Sequence, residues 1–372
     1  MSATTNSRAN SATTLLPTHL LTGIKMESRF KKYRQILQDE AKKARSGEES
    51  KIFNAGNITA AILFIGCISV WAIYFAVKPS SKSKEFSDPS KVLKIIFFDV
   101  GQGDSTLLFT PSKKIILIDA GGKPGYIIEE SEGTSEEKED AAKNVIIPYL
   151  QKELQPLTTY HLPLVIDYFI ATHPHADHYG GFVTLMENKI FPKVVYDANF
   201  PKSYPLYETF LQQVKDAKAK YVVPTVGETV DLGGGVLMKF LGPLSKYRGT
   251  KSDENNSSIV LKITYQNVSF LFTGDVELEA ENDLVSWRGE LKSTVLKIAH
   301  HGSKTSTSSP FLDRVSPDIA VISSGRGNTF GHPADETVKK LVDRNVNIYR
   351  TDQNGTITLL TDGTSLKITT ER

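Results

Sequence analysis

Three histidines and an aspartate are concentrated in the ten-residue stretch THPHADHYGG, which runs from Thr172 to Gly181. The whole chain has only eight histidines in 372 residues, so this clustering is far from a random distribution. Imidazole and carboxylate groups are ligands for Zn, Mn or Fe. The proline between His173 and His175 stiffens the turn and lets both rings face one ion, while Asp177 and His178 are placed to serve a second. Four groups this close can also fill one tetrahedral site.

Further potential ligands follow apolar strands elsewhere in the chain. Asp119 ends the run IILIDAGG, Asp275 ends VSFLFTGD, and His300 and His301 end TVLKIAHHGS. Each has a structural explanation when taken alone, because aspartate is a common turn residue and a histidine pair can be part of the packing. Together with the histidine cluster, these residues favour one shared site with more ligands than a single tetrahedral ion needs.

The elements that position these residues begin near Val92. The runs VLKIIFFDV, STLLFT and KIILIDA predict a strand meander, and LVIDYFIAT predicts the strand that leads into the histidine cluster. Later apolar runs predict further strands, interspersed with helices near 205–217, 277–286 and 333–344. The acidic stretch 129–140 is expected to be a solvated loop. The fold class is therefore α/β or α+β, without internal repeats.

Residues 58–77 form an uncharged run of twenty residues, ITAAILFIGCISVWAIYFAV, which is long enough for one transmembrane helix. Nine Lys/Arg lie between Lys25 and Lys51 but only five between Lys78 and Lys94. The positive-inside rule then places the N-terminus in the cytoplasm and everything after residue 78 outside. A cleaved signal peptide, or lipoprotein processing at Cys67, is a weaker alternative.

The predicted organisation has four parts, and the chain is predicted to be a single-pass membrane protein with its globular domain extracytoplasmic. These parts are a polar and basic cytoplasmic tail (1–55), a transmembrane helix (56–78), a linker (79–91) and a globular domain (92–372). Cys67 is the only cysteine, so the globular domain has no disulfide and no thiolate ligand.

Charge is unevenly distributed along the chain. Residues 1–56 hold ten Lys/Arg against five Asp/Glu, which leaves 34 against 37 for the remainder. A slightly acidic globular part counts against a surface that is basic overall, the usual surface of proteins that track nucleic acid, but a local basic groove is compatible with it.

The motif THPHADHYGG resembles the HxHxDH signature of the metallo-β-lactamase superfamily. The order LIDAGG, HxHxDH, FTGD, HHGS is similar to the successive motifs of that superfamily, over most of the globular domain. A narrower resemblance, over residues 93–334, is to the hydrolase domain of ComEC-type competence proteins. It rests on FFDVGQGDS (97–105), DENNSSIVL (253–261), HHGSKTS (300–306) and SSGRGNTFGHP (323–333).

This resemblance implies a four-layer αββα sandwich with two divalent metal ions at one edge of the sheets. His173 and His175 correspond to ligands of the first ion, and Asp177 and His178 to ligands of the second. Asp275 corresponds to the bridging carboxylate.

His301, with His300 as the alternative, completes the second site, and Asp119 corresponds to the aspartate that supports a metal-binding histidine from behind. The superfamily normally supplies one more histidine before the strand leading to TGD, but this chain has none there. The departure is shared with ComEC-like domains and leaves Asp253 or Asn255 as the third ligand of the first ion.

Two metal ions about 3.5–4 Å apart can hold a hydroxide between them and stabilise the leaving oxygen of a phosphodiester. The oxygen-rich first site favours Mn²⁺, although zinc can also occupy it. The resemblance makes Asp177 and His332 candidate catalytic residues, the latter either hydrogen-bonding the substrate or protonating the leaving group. Asp99 and Asp104 are expected to support the site. Candidate substrate-binding residues are Ser303, Lys304, Arg326, Asn328 and His332.

The leading hypothesis is a membrane-anchored, exported metallo-hydrolase that cleaves phosphodiesters, with DNA as the substrate. A second hypothesis is an envelope phosphoesterase acting on phosphorylcholine esters or teichoic acid, and a third is a non-catalytic metal-binding module. DNA or another phosphodiester, and the lipid bilayer through residues 58–77, are the expected partners. The sequence identifies no protein partner.

Overall fold

The computed structural model describes most of the chain after residue 85. The described residues are Asp39, Lys42, Phe86, 88–125, 127–130, 133–136, 140–154, 163–201, 204–287 and 290–372. The chain divides into two compact units, Met1–Lys82 and Ser83–Arg372. The β-strands that the structure describes lie in the second unit. The predicted membrane span at 58–77 lies outside the described residues. Within the described ranges, no helix has the length and apolar character needed to cross a bilayer.

Seventeen strands are present in the described part of the chain. They are β1 (Leu93–Phe97), β2 (Ser105–Phe109), β3 (Ile115–Ala120), β4 (Ile127–Glu130), β5 (Gly133–Glu136), β6 (Leu164–Ala171), β7 (Ile190–Asp197), β8 (Lys220–Val222), β9 (Thr229–Gly233), β10 (Val236–Gly242), β11 (Val260–Tyr265), β12 (Val268–Phe272), β13 (Val295–Lys297), β14 (Ile319–Ile322), β15 (Asn347–Arg350), β16 (Ile357–Thr361) and β17 (Leu366–Thr370).

The described helices alternate with these strands. They are α1 (Ile147–Leu154), α2 (Ala176–Glu187), α3 (Pro205–Asp216), α4 (Asp253–Asn256), α5 (Leu278–Ser286), α6 (Ser309–Val315), α7 (Asp335–Val342) and α8 (Thr351–Asn354). Short 3-10 turns lie at Pro89–Lys91 and Ala299–Gly302, and a π-helical turn at Ala142–Ile146 leads into α1.

Two large sheets are built from these strands. The first has the order β17-β16-β1-β2-β3-β6-β7-β8, and the second has the order β15-β14-β13-β12-β11-β10-β9. Strands β3, β6, β7 and β8 run parallel to one another, as do β12, β13, β14 and β15. Parallel strands end at the same edge of their sheet, so polar residues that follow them are brought together there.

Alternating side chains assign the two faces of each sheet to different layers. On β1, Leu93, Ile95 and Phe97 join the apolar core between the sheets, whereas Ile96 joins the core beneath the helices. Phe97 stacks on Phe272 of the second sheet with ring centroids 5.9 Å apart.

Helices cover both outer faces. Phe182 of α2 stacks on Phe169 of β6 at 4.5 Å, and α5, α6 and α7 bury Leu284, Phe311 and Leu341 against the second sheet. The predicted αββα sandwich is confirmed.

The acidic stretch departs from the solvated loop that the sequence predicted. Strands β4 and β5 pair as a two-stranded antiparallel sheet, with Ile127 opposite Glu136 and Glu130 opposite Gly133. Cross-strand backbone hydrogen bonds do not depend on side-chain hydrophobicity, so a highly charged segment can form a hairpin of this kind. Composition alone therefore gave the wrong structure for this segment.

Candidate metal centre

The predicted site residues lie at the ends of four strands, at one edge of the two sheets. In the first sheet, Asp119 lies near the end of β3, and the loop Thr172–His175 connects β6 to α2. In the second sheet, Asp275 follows β12, and the 3-10 turn containing His300 and His301 follows β13. Parallel strand ends thus bring together residues that are up to 182 positions apart, Asp119 to His301.

The two glycines after the histidines let α2 approach this edge closely. A Cβ on Gly181 would clash with the carbonyl oxygen of Ala120, and a Cβ on Gly180 would lie 2.9 Å from the backbone nitrogen of Lys123. Gly181 N–H donates to Gly121 O at 2.9 Å. Small residues at both positions therefore fix the start of α2, and with it Asp177 and His178, against the end of β3.

Imidazole nitrogens and carboxylate oxygens converge at the centre of this edge. Asp275 Oδ2 lies 3.2 Å from His178 Nε2 and 3.4 Å from His301 Nε2. Asp177 Oδ2 lies 3.2 Å from His301 Nε2 and 3.7 Å from His178 Nε2. His173 Nε2 lies 3.9 Å from Asp275 Oδ2.

A subset of these side chains, together with Asp104, forms a tight buried group. Asp104, His178, Asp275 and His301 each offer one ligand atom, and the four atoms lie within 4.8 Å of one another. Such a separation is short enough for a metal ion to be bound within this group.

Several atoms in the cluster are buried without a hydrogen bond. Among the residues that the structure describes, His173 Nε2, His178 Nε2, Asp275 Oδ1 and both carboxylate oxygens of Asp177 have no hydrogen-bond partner. These four residues are at most 1% exposed. An unsatisfied buried polar atom costs about 1–3 kcal/mol, and more when the group is charged. Buried imidazole nitrogens and carboxylate oxygens that lie this close together and lack hydrogen-bond partners are suited to bind a divalent metal ion.

His178 is oriented from behind by Asp119. The Asp119 carboxylate accepts hydrogen bonds from the backbone N–H of Thr172 at 2.9 Å and from the Thr172 hydroxyl at 2.8 Å. Its Oδ2 also lies 2.9 Å from His178 Nδ1. Once the ring has released one proton, this contact holds the remaining proton on Nδ1 and leaves Nε2 with its lone pair directed at the cluster. Asp119 has a left-handed backbone conformation (φ 53°), a strained geometry that places the carboxylate behind the ring.

His301 is supported by a buried ion pair between Asp104 and Lys297, of which only Asp104 was predicted from the sequence. Asp104 Oδ1 lies 3.3 Å from His301 Nδ1, and Lys297 Nζ lies 2.7 Å from Asp104 Oδ2. Lys297 is 3% exposed and also donates to Ile298 O at 2.9 Å. Asp104 was predicted as a supporting residue, but Lys297 was missed. The available signal was a lysine within the apolar run VLKIA.

The HHGS turn is strained, as functional turns often are. His300 and His301 both have left-handed backbone conformations, with φ of 50° and 53°. His300 Nδ1 lies 3.3 Å from Glu277 Oε1, and the same oxygen accepts a hydrogen bond from Asn255 Nδ2 at 3.2 Å. Glu277 therefore links the HHGS turn to the segment where the sequence departs from the superfamily pattern.

Charge in the cluster divides the histidines into two groups. Burial holds the pKa of His173 well below its ordinary value and lowers the pKa of His175. Burial also acts to lower the pKa of His178 and His301. The neighbouring carboxylates, above all Asp275, outweigh this effect of burial and hold the pKa of each histidine well above its ordinary value. A cation bound here takes over the role of these protons, so metal binding is expected to release them.

The structure separates the two candidates for the missing third ligand. Asp253 directs its carboxylate at the preceding turn, where Oδ2 accepts from Gly249 N at 2.9 Å and Oδ1 from Thr250 N at 2.8 Å. Asn255 is fully buried, and its Oδ1 has no hydrogen-bond partner within the described ranges. The geometry therefore favours Asn255.

His332 lies beside the cluster, held by its own loop. Its ring centroid is 5.5 Å from that of His300. Asn328 donates from Nδ2 to His332 O at 2.6 Å, and its Oδ1 accepts from His332 N at 3.0 Å. The amide of Asn328 is thus engaged in shaping the loop that presents His332, rather than directed at substrate.

The remaining predicted residues lie in different surroundings. Asp99 pairs with Arg372 at 2.6 Å, and Arg326 is exposed and donates from Nε to Asp352 O at 3.1 Å. Ser303 is buried, and its Oγ lies 2.8 Å from Thr305 Oγ1, while Lys304 next to it is exposed. Ser303 and Lys304 are the two predicted substrate-binding residues next to the HHGS turn, and of these Lys304 is exposed to solvent.

Glu281 of α5 holds the end of the HHGS loop and should make stability depend on pH. Its carboxylate accepts from the backbone N–H groups of Thr307 and Ser308. Burial raises the pKa of Glu281 from 4.5 to about 7, against the opposing influence of these donors and of Lys340. A raised carboxyl pKa means that the folded state retains a proton that the unfolded state has lost. This stabilisation is complete below pH 4.5 and is lost by about pH 7, a change of about 3 kcal/mol.

The variant Glu281→Gln removes this titration. The decrease in unfolding free energy that wild type shows between pH 4.5 and about pH 7 through Glu281 is therefore expected to be absent in the variant. The measurement is urea unfolding of the metal-free full chain in detergent, followed by the fluorescence of Trp287, at several pH values between 4.5 and 8. Comparison with wild type cancels the titration of all other groups. Parallel pH profiles for the two proteins would show that Glu281 does not titrate in this window.

Comparison with known families agrees with this geometry. Residues 98–326 match the family model of the metallo-beta-lactamase superfamily, which is more than half of the chain. The chain therefore belongs to the metallo-beta-lactamase superfamily, and it is a metallo-hydrolase, as the motifs predicted.

Relatives of this chain include proteins named for competence and recombination. ComE operon protein 3 of Bacillus subtilis (strain 168) is 32% identical over 273 residues, covering 71% of this chain and 32% of that protein. Recombination protein 2 of Haemophilus influenzae is 31% identical over 259 residues, covering 69% of this chain and 27% of that protein. The chain thus spans between about a quarter and a third of the length of these relatives. The predicted resemblance to ComEC-type proteins is confirmed.

Among solved structures, the chain is similar to Igni18, a metallo hydrolase from Ignicoccus hospitalis KIN4/I. The TM-score is 0.42 with 13% sequence identity, covering 72% of this chain and 98% of that one.

Proposed function

We propose that this chain is a metal-dependent phosphodiesterase that cleaves DNA and binds two divalent metal ions, Mn²⁺ or Zn²⁺. The observation that carries the proposal is the convergence of His173, Asp177, His178 and Asp275, whose buried ligand atoms lack hydrogen-bond partners in the described part of the chain. The names of the competence and recombination relatives support DNA as the substrate.

The residues divide naturally between two ions. His173, His175 and Asn255 would hold the first ion. Asp177, His178 and His301 would hold the second, and Asp275, which faces His173, His178 and His301, would bridge the two. Bound in this way, a metal pair supplies Lewis-acid stabilisation of phosphate charge and lowers the pKa of water.

The protein's own part is to fix these ligands and to donate a hydrogen bond to the leaving group. Gly325 N–H donates to Gln102 Oε1 at 3.2 Å, which turns the amide nitrogen of Gln102 towards His332 Nδ1, 3.4 Å away. With Nδ1 accepting this hydrogen bond from Gln102, Nε2 is the ring nitrogen of His332 that carries a proton. Nε2–H then serves as the donor to the departing oxygen of the substrate.

The membrane anchor and the exported location are part of the same proposal. They are supported by the apolar run 58–77 and by the excess of basic residues before it. DNA handled outside the cytoplasmic membrane is a substrate that an enzyme in this position can reach.

The test is a comparison of substrates with the full chain in detergent, stripped of metal and refilled with Mn²⁺, Zn²⁺ or Mg²⁺. Single-stranded DNA, duplex DNA, RNA and the chromogenic diester bis(p-nitrophenyl) phosphate are each incubated with wild type and with Asp177→Ala. We expect metal-dependent DNA cleavage that the variant lacks. Cleavage of the small diester alone would favour an envelope phosphoesterase, and bound metal without cleavage of any substrate would favour a non-catalytic module.

A further inference from the structure

A cavity of about 400 Å³ lies beside the metal centre. Glu277 forms part of its wall, and Glu277 Oε1 is also 3.3 Å from His300 Nδ1. Thr305 lines the cavity as well, and its hydroxyl lies 3.4 Å from the same histidine nitrogen. Glu277 and Thr305 therefore lie between the cavity and His300, the neighbour of His301 in the HHGS turn.

Three lysines from separate parts of the chain line this cavity. Lys251 precedes α4, Lys304 follows the HHGS turn, and Lys340 belongs to α7. Lys251 and Lys304 are exposed, and neither has an ion-pair partner among the described residues. Lys340 lies 3.1 Å from Glu336 on its own helix, a surface pair of small net stability. We call this feature the lysine cavity.

The acidic residues of the wall are already engaged by amide donors. Glu277 accepts from Asn255 Nδ2 at 3.2 Å, and Glu279 accepts from Asn256 Nδ2 at 3.1 Å. These contacts hold the two carboxylates against α4, and within the described ranges neither carboxylate forms an ion pair with the three lysines. Leu278, which is 50% exposed, adds an apolar surface to the same wall.

Resting on the proposed function, we infer that the lysine cavity binds a second phosphate of a nucleic-acid strand whose scissile phosphate lies at the metal centre. Flexible lysines contact phosphate as point charges without reading sequence. The location also explains how a domain with a slight excess of acidic residues binds a polyanion, because positive charge is needed only along the path of the strand. The substrate class is thus a strand with several phosphates rather than a small ester.

The variants that test this inference are Lys251→Gln and Lys340→Gln, separately and combined. Binding of a fluorescein-labelled single-stranded oligonucleotide to the metal-free full chain in detergent is measured by fluorescence anisotropy at several salt concentrations. Removing one lysine that neutralises a phosphate should reduce the slope of log affinity against log salt by about 0.7. Cleavage of bis(p-nitrophenyl) phosphate by the Mn²⁺-loaded variants should equal that of wild type.

Lys113→Gln is the matched control, because Lys113 is an exposed lysine in the β2–β3 turn, at the opposite end of β3 from Asp119. Unchanged oligonucleotide affinity and salt slope in the double variant, with diester cleavage intact, would overturn the inference and leave the phosphodiesterase proposal standing. If wild type cleaves neither substrate but the double variant binds DNA more weakly, the proposed function fails and the lysine cavity remains a nucleic-acid site.

Discussion

Asp275→Asn is expected to lower kcat/KM for DNA cleavage on the order of 10³-fold, because metal ions supply several kcal/mol of transition-state stabilisation and each 1.36 kcal/mol is a factor of ten. Among the residues that the structure describes, Asp275 is the one carboxylate within 4 Å of His173, His178 and His301 together. Removing its charge while keeping its shape therefore affects both proposed ions.

Metal binding gives a readout of Asp275→Asn that does not depend on activity. A ligand at a hundred times its Kd stabilises the folded state by about 2.7 kcal/mol. For a domain of this size, that raises Tm by about 5 °C. We expect wild type to show this rise with Mn²⁺ and the variant to lack it.

Asp167→Asn is the control, since Asp167 lies near the start of β6, where it accepts from Ile115 N at 2.9 Å. An Mn²⁺-dependent rise in Tm that persists in Asp275→Asn would contradict the assignment.

Asp119→Asn is expected to weaken metal affinity about 10–100-fold, the usual effect of losing a residue that orients a metal ligand. The asparagine keeps one oxygen for Thr172 N–H and places an NH₂ group opposite His178 Nδ1. That NH₂ group donates to Nδ1 and drives the ring proton to Nε2, where it blocks coordination. Catalysis should decrease in parallel with metal affinity. Metal affinity is measured by competition with a chromogenic chelator.

The matched control for Asp119→Asn is Asp197→Asn, a buried carboxylate at the end of β7. Asp197 Oδ1 accepts from Asn199 N at 2.6 Å, Tyr207 Oη at 2.6 Å and Tyr221 Oη at 2.8 Å, without a histidine partner. Both variants should lose about 1–3 kcal/mol of folding stability through unsatisfied buried donors. Only Asp119→Asn should lose metal affinity, and equal metal affinity in the two variants would show that His178 does not depend on Asp119.

Much of the site follows from the sequence because its residues stand at the ends of strongly apolar strands. The runs IILIDA and VSFLFTGD indicate where β3 and β12 end, and parallel strands that end at one edge must bring Asp119 and Asp275 near the histidine cluster. This reasoning needs only local pattern and strand direction, both of which the sequence carries.

Contacts between segments that are distant in the sequence could not be predicted from local pattern and strand direction. Lys297 reaches Asp104 across 193 positions of the chain, and β16 pairs with β1. Asp99, predicted to support the site, pairs instead with Arg372. The sequence shows the chemical type of each residue, but the partner of a charged side chain is set by the tertiary fold.

Single-stranded DNA cleavage by the full chain, titrated with Mn²⁺ from the metal-free state, tests most directly whether the buried His/Asp cluster is a two-metal phosphodiesterase centre. We expect no cleavage without metal and a rate that rises to a plateau at two equivalents of Mn²⁺ per chain. Cleavage that persists in the metal-free protein, or no cleavage at two bound equivalents, would contradict this function.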